Sequence, residues 1–176
     1  MRSDNPIIDN ILNRTSIRKF TDEDIDDSTI DILLRAGMAA PSALNKQPWE
    51  FIVVKDNNIQ KQFVYAYRGA WMAENAAVAI VICGNTDQAI QGEEQLFWID
   101  DVAAATENIL LAAHSLGLGA VWTGIHANKE RAERIKEILS LPCNIEPFCA
   151  IMIGHPAESP APKDKFSKDK IHYNKW

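Results

Sequence analysis

Apolar positions recur along this chain with two different periods, and the alternation between them outlines a fold. Ile7, Ile8, Ile11 and Leu12 stand at helical spacing behind Pro6, a residue suited to a first helical turn. After the extended stretch RTSIRKF, Ile25, Ile30, Leu33, Leu34 and Met38 predict a second helix. Thr21 and Asp22 are its cap candidates, and Pro41 stops it. Residues 50–55 read as a strand and 57–67 as a helix. Residues 76–83 form an apolar run of strand length, rich in Val and Ile and closed by Gly84. The broadest apolar stripe belongs to a helix over 99–116, through Val102, Ala105, Ile109, Ala112, Ala113 and Leu116. Asp100 and Asp101 sit near its positive end, and Gly117 suits the position just past its last turn. A strand over 119–125, a helix over 129–139 capped by Asn128, and a strand over 148–153 complete the pattern.

Helices and strands alternate without an internal repeat, which points to an α/β or α+β architecture. A length of 176 residues suits one domain over 1–176. Apolar residues make up 47% and charged residues 24%, ordinary values for a globular chain. The net charge of −6 and the lack of a basic stripe argue against nucleic acid and, weakly, against membrane surfaces. No apolar run reaches the roughly 18 residues that span a bilayer, and the N-terminus has no signal-peptide core. Cys83, Cys143 and Cys149 are an odd, scattered set with no CxxC pair, so reduced thiols in a cytoplasmic protein are expected.

Four segments carry candidate chemistry. In extended Arg14-Thr15-Ser16-Ile17-Arg18, alternation puts Arg14, Ser16 and Arg18 on one face. Two guanidinium forks and a hydroxyl suit a phosphate dianion, although a solvated surface stretch has the same composition. The loop 41–49, PSALNKQPW, joins a helix to a strand and is stiffened by two prolines. Its Ser42, Asn45 and Gln47 offer both donors and acceptors, and they are also ordinary turn residues. The stretch GLGAVWTG over 117–124 follows a helix and precedes a strand, the reverse of a dinucleotide fingerprint. Gly117 and Gly119 read there as cap and close-approach residues, and Gly124 as a place where backbone N–H groups can meet a ligand. Lys163 and Lys165 form a late basic pair that suits either a phosphate or plain solvent.

Other chemistries find no support. His114, His126, His155 and His172 make no metal spacing, and no metal is expected. There is no nucleophile elbow, no P-loop and no evident acid–base pair. That pattern fits an enzyme whose reactive atom belongs to a cofactor.

Taken in order, RTSIRKF, AAPSALNKQPWEFIVV, ENILLAAHSLGLGAVWTGI, IGHPAESPAPKDKF and KIHYNKW resemble the nitroreductase family of flavoproteins. The resemblance covers nearly the whole chain. It implies an α+β fold with a central, mostly antiparallel sheet flanked by helices and an extended C-terminal arm. It implies a homodimer with FMN at the subunit interface and NAD(P)H as co-substrate. Arg14, Ser16, Arg18, Lys163 and Lys165 match the phosphate side of the family's site. Pro41, Ser42, Asn45 and Gln47 match a loop supplied by the other subunit, and Thr123 and Gly124 match the backbone near flavin N5. Where the family often has an arginine in the late pair, this chain has two lysines, so contact there is a point charge rather than a fork. Arg68 is the candidate for the basic residue that many members place near N1 and O2.

The activity implied is a ping-pong reduction of nitroaromatic, quinone or similar electron-poor acceptors. Dehalogenation, enone reduction, flavin cleavage and a non-catalytic flavin-binding module stay open as alternatives, as does the choice of NADH or NADPH. The helix over 102–116 looks apolar on more than one side, and a subunit interface is one place to bury that surface. In the tail, Phe166, Ile171, Tyr173 and Trp176 favour an ordered arm docked on the body or on a partner.

Overall fold

The computed structural model describes residues 4–176; residues 1–3 of the polar N-terminus lie outside the described residues. Four strands, β1 (Trp49–Val54), β2 (Val78–Asn85), β3 (Gly119–Gly124) and β4 (Ile145–Gly154), form one sheet in the order β1-β2-β4-β3. Every pairing is antiparallel. The helices are α1 (Pro6–Asn13), α2 (Asp27–Met38), α3 (Asn57–Ala66), α4 (Phe97–Ser115) and α5 (Lys129–Leu139).

The unbroken apolar run in β2 reflects burial on both faces of the sheet. Ala79, Val81 and Cys83 face a core built with Phe63, Tyr67, Ile135 and Met152, beneath α3 and α5. Val78, Ile80 and Ile82 face the other core, built with Leu33, Val102, Ile109 and Ile151, beneath α2 and α4. Alternation at period two thus divides one apolar strand between two cores. The second apolar side of α4 is covered within the chain: α2 packs along it, and Asn108 donates to the Ala36 carbonyl at 3.0 Å.

Several element ends differ from the sequence pattern. α2 starts at Asp27, capped by Asp26 rather than by Thr21 or Asp22. The Asp26 carboxylate accepts from the Thr29 N–H at 2.8 Å and from both the Ser28 and Thr29 hydroxyls. Those bonds hold its carboxyl well below the usual range, at about 2. β4 begins three residues earlier than its apolar run, because Pro147 sits at a bulge opposite Cys83 where the period breaks. A 3-10 turn over Arg68–Asn75 had no periodic signal. Past the Phe20–Pro156 bridge the arm has one 3-10 turn, Lys168–Lys170, and Phe166, Tyr173 and Trp176 are exposed on the single chain.

Candidate functional site

The site is built on the open edge of β3. Ile17 N–H donates to the Ala120 carbonyl at 3.0 Å, so the RTSIR segment runs beside that edge. Two glycines allow it to lie so close. Gly119 and Gly154 are partners across β3 and β4. A Cβ on Gly119 would stand 2.6 Å from Ile17 Cγ2, and one on Gly154 would stand 2.9 Å from Phe20. The buried side chains of Ile17 and Phe20 occupy the space those methyls would take. Ile17 is turned inward, and Arg14, Ser16 and Arg18 line a cavity beside it, together with Thr15 and Lys19, which strict alternation would place on the opposite face.

The cavity has a volume of about 1060 Å³, at the upper end of ligand-site volumes. The C-terminal segment forms its other wall and brings in Lys163 and Lys165, more than 140 residues away in sequence. With Lys19, the cavity lining holds five cations among the described residues. Glu107, Glu158 and Asp164 are the carboxylates among the described lining residues, which leaves a surplus of two positive charges there in a chain of net charge −6. Arg14 is mostly buried and aimed by Glu107, whose carboxylate lies 3.5 Å from its Nε. His114 feels the same field: burial and then Arg14 push its pKa below the ordinary value. Trp71, from the 3-10 turn, lines the cavity with an exposed indole. Arg68 opens that turn but is not among the lining residues.

At the end of β3, Thr123 and Gly124 separate in role. The Thr123 hydroxyl is buried, donating to the Ala150 carbonyl at 2.9 Å and sharing a 2.7 Å bond with the Tyr67 hydroxyl. Gly124 is turned the other way. Its carbonyl accepts from Arg131 at 2.5 Å, on the same outer edge as the Ala120 carbonyl. In an antiparallel strand a residue's N–H and C=O point to the same side, so the Gly124 N–H also faces the open edge. The Arg131 guanidinium sits 4.6 Å above the Tyr67 ring and braces this end. Burial of Tyr67 pushes its phenol up to about 12.

The loop residues Pro41, Ser42, Asn45 and Gln47 do not line this cavity. They form a separate, internally bonded unit. The Ser42 hydroxyl accepts from Gln47 N–H at 3.0 Å, and the Gln47 amide donates to the Asn45 side chain at 2.9 Å. Leu44, Asn45 and Gln47 all hold positive φ, at 50°, 56° and 50°. Left-handed backbone costs Leu44 and Gln47 roughly 1–2 kcal/mol each, while Asn45 belongs to a type that tolerates it, and such strain is often found where structure serves a ligand. Buried Asp101, on the first turns of α4, holds the loop by accepting from Ala43 N–H at 2.8 Å.

Burial raises the Asp101 pKa, the Ala43 bond opposes that, and Asp100 adds to it. An acid whose folded pKa is raised favours the fold while protonated and withdraws that contribution as pH climbs through the carboxylate range. Asp101→Asn keeps an oxygen for Ala43 and has no charge to bury. Its melting temperature relative to the parent chain should therefore rise from about pH 4 to pH 7. A gap that stays constant across that range would show that the carboxylate charge plays no such part.

The family model described as "Nitroreductase family" matches residues 11–77 and 60–155. The chain belongs to the nitroreductase family. A Methanothermobacter thermautotrophicus protein, provisionally named NADH dehydrogenase/NAD(P)H nitroreductase, is 41% identical over 171 residues, 97% of this chain and 87% of its own. A crystal structure of a Parabacteroides distasonis protein, provisionally named in the same way, superposes with a TM-score of 0.93 at 40% identity, covering 98% of this chain and all of its own. A Desulfovibrio desulfuricans protein, crystallised in complex with FMN and provisionally named a nitroreductase, superposes at 0.86 with 30% identity and 99% of each chain covered.

In this nitroreductase-family chain the structure unites Arg14, Ser16, Arg18, Lys163 and Lys165 and leaves the loop of 41–47 apart. Glu107, Glu158, Trp71, Tyr67 and Arg131 had no signal in the sequence, and Asp101 read only as a charge near a helix end. Each acts through a contact with a distant segment, which no local pattern announces.

Proposed function

We propose that this chain is an FMN-dependent NAD(P)H oxidoreductase that works as a homodimer, with residues 1–176 acting as one FMN-binding unit. The observation that carries the reading is the cavity: two arginines, two lysines and a serine converge from both ends of the chain beside an open strand edge. That inventory suits a doubly charged phosphate, and with Lys19 the described lining carries a surplus of two positive charges. The open N–H of Gly124 offers a donor for a ring acceptor farther along the same edge. FMN, when bound, supplies the hydride chemistry that no side chain of this protein can. The relatives' names carry NAD(P)H nitroreductase activity and, in one crystal structure, FMN.

The protein's own work is positioning and electrostatics. Arg14, held by Glu107, and Arg18 present forks to the phosphate, Ser16 a hydroxyl, and Lys163 and Lys165 point charges. Ile17, seated on Gly119, fixes the phase of that segment against β3. The loop of Pro41, Ser42, Asn45 and Gln47 serves the partner subunit's site, because it does not reach the cavity of its own chain. Pinned by Asp101 and pre-strained, it needs little ordering when it meets a flavin edge. Apolar surface suits the dimer: Ile7, Ile8 and Ile11 on α1, and Leu44, Leu96 and Phe97 beside the loop, are exposed on a single chain. NAD(P)H and a flat electron-poor acceptor, such as a nitroaromatic or a quinone, use one place in turn. A cytoplasmic setting belongs to this reading and agrees with three cysteines that are free thiols.

The absorbance spectrum of the purified protein tests it. The protein should be yellow, bleach on anaerobic addition of NADH or NADPH, and regain colour with a nitroaromatic or quinone. It should run in solution at twice 19.7 kDa. A colourless protein that takes up no FMN would overturn the reading.

A further inference from the structure

Glu158 carries the wrong charge to hold a phosphate, yet it joins the two walls of the cavity. Its Oε1 accepts from the backbone N–H of Arg18 at 2.6 Å and of Lys19 at 3.2 Å. In the residues just before it the same two segments are zipped together. Ala157 N–H donates to the Lys19 carbonyl, and Thr21 N–H to the His155 carbonyl, each at 2.9 Å. Beyond Glu158, every hydrogen bond of the arm among the described residues stays within the arm, such as Phe166 N–H to Asp164 and Ile171 N–H to the Lys168 carbonyl. Glu158 is therefore the last hydrogen-bonded tie between arm and body.

The chain just past that tie gives it leverage. Pro160 and Pro162 separate Glu158 from Lys163, and proline-rich chain is extended and stiff over several residues. A stiff segment carries the position of its anchor forward to whatever comes next. Here that is Lys163 and Lys165, on the wall facing Arg14 and Arg18. The carboxylate also occupies the N–H groups of Arg18 and Lys19, so an anion in this cavity meets side chains rather than those two amides. A carboxylate beside an anion site carries an electrostatic cost, which the strength of two charge-assisted bonds offsets.

We propose that Glu158 is a positioning residue for the anion site: it fastens the proline segment to the 18–19 backbone and so sets Lys163 and Lys165 against the phosphate. This role rests on the cavity being a phosphate site. It makes Glu158 and the lysine pair one unit, which separate contributions to stability would not.

The test is a set of binding titrations of the apoprotein with FMN and with riboflavin, which lacks the phosphate. Glu158→Ala should weaken FMN about tenfold, the loss expected for a charge-assisted anchor, and leave riboflavin unchanged. Glu158→Gln, whose amide oxygen still accepts, should fall between Glu158→Ala and the parent chain and guards against a variant that fails to fold. Replacing Lys163 and Lys165 together by alanine should weaken FMN in the parent chain and add less than about twofold in the Glu158→Ala background, because coupled residues are not additive. Equal weakening of both flavins, an undiminished lysine effect, or parental FMN affinity in Glu158→Ala would each overturn the proposal. Arg14→Ala in the same assay separates the two readings. If Arg14→Ala and the lysine pair weaken FMN while Glu158→Ala does not, only the role of Glu158 fails. If none of them matters, the phosphate site fails and takes this role with it.

Discussion

Arg14→Ala should release flavin, weakening FMN by about 1.5–3 kcal/mol, roughly ten- to a hundredfold. Arg14 has the strongest claim among the cavity's cations. Its side chain is only 18% exposed, so its charge acts through less water than those of the lysines on the arm. Glu107 orients it at 3.5 Å, so little side-chain freedom is lost on binding. Its removal also leaves Glu107 uncompensated beside the phosphate, which adds repulsion to the lost attraction. Arg14→Lys keeps the charge without the fork and should fall between the two. Fluorescence titration measures the effect, with riboflavin as the control that should not respond. Unchanged FMN affinity in Arg14→Ala would remove the arginine from the site.

Gly119→Ala should damage fold and site together. The added methyl would stand 2.6 Å from Ile17 Cγ2 and 2.8 Å from Ile17 Cβ, and the second atom cannot be moved by a change of rotamer. The RTSIR segment must therefore shift off β3. Overpacking of this kind costs about 1–3 kcal/mol of stability. Because Ile17 sets the phase of Arg14, Ser16 and Arg18, FMN retention should fall along with the melting temperature. Gly117→Ala supplies the contrast. Gly117 has φ of +76° and open space around the missing Cβ, so alanine there meets backbone strain of roughly 1–2 kcal/mol but no neighbour. It should lower the melting temperature and spare flavin affinity. Equal flavin loss in both variants would show that stability alone controls binding.

The parts of the site that come from local period were legible in the sequence. Arg14, Ser16 and Arg18 were read as one group from the extended segment, although Thr15 and Lys19 line the same cavity, and Gly119 reads as a close approach because glycine is the residue such contacts require. The antiparallel sheet and its flanking helices came from the resemblance, and α5 over Lys129–Leu139 from its pattern. Contacts across long loops were not legible. Glu158 meets Arg18 across 140 residues, and Asp101 meets Ala43 across 58. Nothing near either acid marks it as a partner. The cap of α2 fell to Asp26 over Thr21 and Asp22 because Ser28 and Thr29 add two hydroxyl donors to its one backbone bond. A subunit interface was one place to bury the second apolar side of α4, but α2 covers that side within the chain, which periodicity cannot show.

The order β1-β2-β4-β3 places the last strand of the chain between two earlier ones. While the polypeptide emerges from the ribosome, β3 has no strand to pair with and β2 has only β1. Neither sheet face can close until residues 145–154 arrive, with most of the chain already made. Assembly is thus governed by pairing between distant segments, the slow class of folding reaction. A chain cut short before β4 does not yield a smaller version of the fold. It leaves β2 and β3 with unpaired edges, the form in which nascent chains join one another and draw chaperones.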